Sequence, residues 1–124
     1  DEDVRRASAR ALGQLGPAAV PALKQALGAP REEVRRYAIQ ALGWIGPSSV
    51  PALVEALAND NALARAAAAR ELGRFGPSAN EARPALVEAV DDPDPKVRAA
   101  AARALSRVGP VTEGQPAPAD SSVQ

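Results

Sequence analysis

Asp91, Asp92 and Asp94 form the densest group of carboxylates in the chain, and paired acids are the one class of catalytic group this sequence offers. Two neighbouring carboxylates can share proton transfer or help hold a hard cation. The plainer reading of Asp91-Asp92-Pro93-Asp94-Pro95 is a polar turn that caps a following helix. Asp at the N-cap with Pro at the first helical position is a favoured pair for that purpose. The chain has no His and no Cys. The usual neutral-pH acid–base group, the thiol nucleophile and the common zinc ligands are therefore all missing. Neither a phosphate-cradling Gly-rich loop nor a nucleophile-elbow serine motif is present. No catalytic residue, metal or cofactor is expected in this chain alone.

Groups suited to recognition are better represented. Basic and acidic residues cancel at fifteen each, so net charge alone argues for neither nucleic acid nor membrane. The basic residues are nearly all arginine, and most precede Gly-Pro pairs. On a helical wheel Arg6, Arg10, Arg36, Arg70 and Arg103 point away from the apolar side, with Arg74 and Arg107 at its flank. If these segments stack, the arginines align into a basic band suited to an acidic protein or to phosphates. The alternative is a solvated face, with cations towards helix C-termini and acids towards N-termini. Tyr37 and Trp44 are seven residues apart and so lie on one side of one helix. Trp, Tyr and Arg dominate interface energetics, which makes Tyr37, Trp44, Arg70, Arg74, Arg103 and Arg107 the candidate partner-binding residues. Gln14, Arg74 and Arg107 stand where Trp44 does, so Trp44 is expected to be accessible, with Arg74 over its ring. A second candidate surface carries Gln25, Glu55 and Glu88 among flat alanines: Ala22, Ala26, Ala52, Ala56, Ala85 and Ala89.

A repeat positions these residues. Gly16-Pro17, Gly46-Pro47, Gly76-Pro77 and Gly109-Pro110 recur at spacings of 30, 30 and 33. Leu12, Leu42, Leu72 and Leu105 keep that register, as do Arg5, Arg35, Arg65 and Arg98. Pro21-Ala22-Leu23 returns as Pro51-Ala52-Leu53 and Pro84-Ala85-Leu86, and three extra residues fall within Ser78 to Arg83. Val34, Ala38, Ala41, Leu42 and Ile45 form one stripe at the helical period, stopped by Gly46 and Pro47. Val50, Leu53, Val54 and Leu57 form a second stripe, with Pro51 tolerable only near a helix start. First helices are expected near 2–15, 32–45, 62–75 and 95–108, and second helices near 19–28, 49–58 and 81–91. Arg31 is a poor cap, so the helix after it should start loosely.

Thirty residues are Ala, and only Tyr37, Trp44 and Phe75 are aromatic. Small side chains suit closely stacked helices, each repeat burying its stripe on its neighbours. The expected fold is all-α: a right-handed α-solenoid of stacked helical hairpins, about 3.5 repeats and seven helices, over residues 1–110. Residues 111–124, rich in Pro, Gly and Ser, read as a disordered tail or linker. No apolar run approaches the ~20 residues of a membrane helix, and nothing fixes a compartment. The stripe of Val97, Ala101, Leu105 and Val108 is expected to be partly uncovered, which implies a longer parent chain or end-to-end self-association.

The strings ARALGQLGPAAVPAL, IQALGWIGPSSVPAL and DPDPKVRAAAARALSRVG resemble the HEAT-like repeats first grouped with phycocyanobilin lyases. The resemblance covers residues 1 to 110. It implies a curved solenoid and, for most members, a scaffold or adaptor role; some members are bilin lyase subunits. Two departures stand out. Glu71 occupies the inner stripe where Ala11, Ala41 and Ala104 stand. The family's Asp–Arg pairing between repeats is incomplete: Asp1 and Asp94 lie four residues before Arg5 and Arg98, but Arg31 precedes Arg35. The expected function is protein–protein binding without catalysis. The alternatives are phosphate-backbone binding through the arginines and, by resemblance alone, a bilin lyase subunit.

Overall fold

The structure, a computed structural model, describes residues 2–110, and these form seven α-helices with no strand among the described residues. The expectation for 111–124 lies outside them. The first helices are α1 (Glu2–Gln14), α3 (Glu32–Ile45), α5 (Ala62–Phe75) and α7 (Pro95–Val108). The second helices are α2 (Val20–Ala26), α4 (Val50–Ala56) and α6 (Arg83–Ala89). Consecutive first helices pack side by side, and each second helix packs on the first helix that follows it. The molecule is thus an all-α solenoid, as the repeat register implies.

Local chemistry sets the punctuation. Gly46 ends α3 at φ 104, a region that other residues enter only with strain, and Pro47 opens a 3₁₀ turn, Pro47–Ser49. The buried Ser49 hydroxyl shares its one proton between Leu42 O at 2.6 Å and Gly46 O at 2.7 Å, which reinforces the backbone bonds that close the helix end. Pro21, Pro51 and Pro84 each lie in the opening turn of a second helix, where no backbone partner is lost. The three extra residues lengthen the third 3₁₀ segment to Gly76–Ala82, kinked at Ala79. Asn61 caps α5 by accepting from Ala64 N at 2.9 Å, and Asp94 caps α7 through Lys96 N at 2.7 Å. Arg31 makes no cap bond, yet α3 still starts at Glu32. There Arg35 ties back to Ala29 O at 2.7 Å and Pro30 O at 2.9 Å.

Leu42, Leu53, Leu72, Leu86 and Val97 are fully buried, and alanines fill the space between them. Small residues let backbones approach closely. A Cβ placed on Gly73 would lie 3.0 Å from Ala104 Cα and 3.2 Å from Ala104 Cβ. The matching positions are Gly13 and Gly43 in the earlier repeats and Ser106 in α7.

Three expectations are corrected. Val97, Ala101 and Val108 are buried and Leu105 half-buried, because α5, α6 and the third 3₁₀ segment cover that stripe. The most exposed large apolar residues among those described, Val4 at 61% and Leu15 at 65%, lie at the other end of the stack. Ala52, Ala56 and Ala89 are buried, not a flat outer face; they turn into the stack against neighbouring hairpins. Among the described residues, the pairing between repeats does not use the residue four positions before the arginine. Arg65 instead reaches forward to Asp92, with Nε to Oδ2 at 2.8 Å and an Nη2 contact to Oδ1 at 3.1 Å.

Candidate functional site

Two of the acids that opened the question of catalysis, Asp92 and Asp94, are engaged structurally, and Asp91 is exposed. Asp92 holds Arg65 and accepts from Asp94 N at 2.9 Å, while Asp94 caps α7. The Arg65 hydrogen bond is the main reason the Asp92 carboxyl titrates below its ordinary range. No metal-holding group of acids occurs among the described residues, and no described helix is long and apolar enough to cross a membrane.

The arginines converge better than the aromatics. On α5, Arg70 and Arg74 are one helical turn apart, and Arg103 and Arg107 repeat that spacing on α7, the adjacent helix. All four are exposed and border one groove of ≈ 180 Å³ whose floor is Gly73, Ala100 and Ala104. The glycine and alanines that allow close helix packing thus also leave the groove shallow. Arg74 donates to both Glu71 carboxylate oxygens, at 3.0 and 3.3 Å. Glu71 itself lies largely buried, its carboxylate against Gly43 of α3. Burial pushes the Glu71 carboxyl above its ordinary value, against the opposing pull of Arg74 and Arg70. Arg70, Arg103 and Arg107 make no ion pair with the described residues.

Trp44 is 48% exposed, as its register implies. Its cation partner is Arg10 of α1, with the guanidinium carbon 5.0 Å from the ring centroid, and not Arg74. Side chains lean towards the helix N-terminus, and Trp44 leans onto the preceding helix, away from α5. Tyr37 is half-buried against the core and does not join the exposed set. Gln25, Glu55 and Glu88 are exposed on the second helices, and Glu55 pairs with Lys24 at 3.0 Å, bridging α2 and α4. Two features escaped the sequence reading. One is Arg10 as the partner of Trp44. The other is Leu63, 46% exposed on α5; the signal for it was available, since Asp3, Glu33 and Lys96 occupy its register.

The family model described as HEAT repeats matches residues 1–69 and 50–120. No curated protein matches the chain. Among solved structures, the crystal structure of an engineered protein, a Northeast Structural Genomics Consortium target, is similar at 26% identity and a TM-score of 0.53. The match covers 89% of this chain and 59% of that one.

Proposed function

The chain belongs to the HEAT repeats family, and on that premise we propose that it is a non-catalytic scaffold that binds an acidic protein partner across the arginine face of its first helices. The observation that carries the reading is the α5/α7 groove. Four arginines surround an apolar floor there, and three of them form no ion pair with the described residues. Like charges one turn apart cost a helix about 0.2–0.5 kcal/mol per pair, a cost that an acidic partner removes. Arginine suits the role because its planar fork grips carboxylates with two parallel hydrogen bonds.

The bilin-lyase grouping rests on the repeat strings alone, and nothing in the geometry adds to it. The chain lacks His and Cys, and Asp92 and Asp94 are committed to Arg65 and to capping. The test titrates a fluorescent Glu/Asp-rich peptide and a DNA duplex against the wild-type chain and the Arg103→Glu/Arg107→Glu double variant. Peptide binding that weakens with salt and falls about tenfold or more in the variant supports the scaffold reading. Binding of duplex without peptide replaces it with the phosphate-backbone reading. Binding of neither probe overturns the arginine face as the site.

A further inference from the structure

The first helices do not stack evenly. α5 and α7 approach each other more closely than α3 and α5 do. The residue between α3 and α5 explains the difference. Where α7 offers Ala104 to Gly73, α5 offers Glu71 to Gly43, and the Glu71 carboxyl carbon lies 2.9 Å from where a Gly43 Cβ would be. Towards the N-terminal ends of the same two helices lies a cleft of ≈ 240 Å³. Ile39, Ala64 and Ala67 form its floor, Leu63 stands at its lip, and Arg36 and Arg70 flank it. That volume is below the ~300–1,000 Å³ of sites built for whole small molecules. It is suited to one large side chain.

Two register comparisons point the same way. Leu63 is an exposed leucine where the sister repeats carry Asp3, Glu33 and Lys96, so the fold does not require an apolar residue there. Ala67 stands where α3 carries Tyr37, which is half-buried against the core. A ring is accepted at that register, yet this cleft is left empty of one. Arg70 borders both this cleft and the α5/α7 groove, so the two lie side by side on α5. Charge favours an acidic occupant. Glu32, the acid in the cleft lining, already faces Arg36 at 3.7 Å, and Arg70 has no ion pair with the described residues.

We infer that the α3/α5 cleft is an anchor pocket for one large apolar side chain of an acidic, extended partner segment, whose flanking carboxylates meet Arg36 and Arg70. This rests on the scaffold reading and names the kind of segment the scaffold takes. The discriminating experiment measures fluorescence anisotropy of two short acidic peptides on the full chain, identical but for a central Leu or Ser. The Leu peptide should bind about tenfold tighter, the scale of one buried aliphatic anchor. Ala67→Tyr, which fills the cleft with a ring of the kind α3 already carries, should abolish that preference and leave the Ser peptide's affinity unchanged. Leu63→Ser, at an exposed position, should reduce the preference without loss of helicity. Arg103→Glu should weaken both peptides alike. Equal affinities for the two peptides, or a preference that survives Ala67→Tyr, overturn the anchor pocket and leave the scaffold reading standing. Binding of neither peptide overturns both, as does binding of a DNA duplex in their place.

Discussion

Asp92→Asn should destabilise the protein by about 1–3 kcal/mol, and the reasoning begins with what Arg65 would lose. Its side chain is 16% exposed and that of Asp92 10%. The pair is therefore worth more than a surface ion pair of ~0–1 kcal/mol, and breaking it costs less than the ~3–5 kcal/mol of a fully buried one. Arg65 keeps its Nη1 bonds to Asn59 O at 2.8 Å and Asp60 O at 3.2 Å. An asparagine oxygen can still accept from Asp94 N. What disappears is the charge and one of two charge-assisted bonds, each worth about 1.5–3 kcal/mol. For a domain of this size the melting temperature should fall by roughly 4–8 °C per kcal/mol. The pH dependence supplies the refutation. Asp92 titrates below its ordinary value in the folded state, mainly through Arg65. Its contribution is therefore complete above the unfolded carboxyl pKa of about 3.9 and is lost as pH falls through the lower folded value. Calorimetry at neutral pH and at about pH 3 should show a gap between wild type and Asp92→Asn that closes on acidification. Equal melting temperatures at neutral pH, or a gap unchanged in acid, would refute the account. The molecule holds its own comparison: at the equivalent junction Asn59 stands in the register of Asp92 and lines one cleft with Arg35, whose buried Nε has no partner.

Gly73→Ala places a Cβ at 3.0 Å from Ala104 Cα and should cost about 1–3 kcal/mol, the scale of overpacking; no loss in a denaturation curve would mean that α5 and α7 sit further apart. Glu71→Ala should raise the melting temperature at neutral pH. Burial holds the Glu71 carboxyl above its ordinary value, so its charged form opposes folding once pH exceeds the unfolded value of about 4.3. The advantage should shrink towards pH 3, and a variant less stable at every pH would show that the Arg74 bond outweighs desolvation. Trp44 emission should be open to an aqueous quencher, and Arg10→Ala should open it further; a quencher-resistant, blue-shifted spectrum would contradict the exposure of that ring.

Helix positions were legible because Gly-Pro punctuation and two apolar stripes repeat in one register, and each reports a local constraint on the backbone. The candidate surface was only half legible, for a geometric reason. A helical wheel gives the direction of a side chain but not which neighbour lies there. Arg70, Arg74, Arg103 and Arg107 share equivalent positions on adjacent helices, so stacking brings them together, as their register implied. Trp44 needs the lean of its side chain to be known, and it met Arg10 instead of Arg74. The second-helix alanines have the same pattern whether they face solvent or another hairpin. Ala52 and Ala56 proved to be buried. The Arg65–Asp92 pair spans 27 residues, and only the assembled stack reveals it.

Ser106 bears on how far such a stack can grow. Repeat arrays are open-ended, and head-to-tail addition of identical copies produces a filament, since no rotation closes it. A further helix that came as close to α7 as α7 comes to α5 would meet α7 at its glycine register. At that separation the glycine register has room for a hydrogen and little more, as Gly73 against Ala104 shows. Ser106 presents a Cβ and a hydroxyl in that place, the hydroxyl donating to Arg103 O at 2.8 Å. A helix on that side of α7 would therefore have to stand further off than α7 stands from α5.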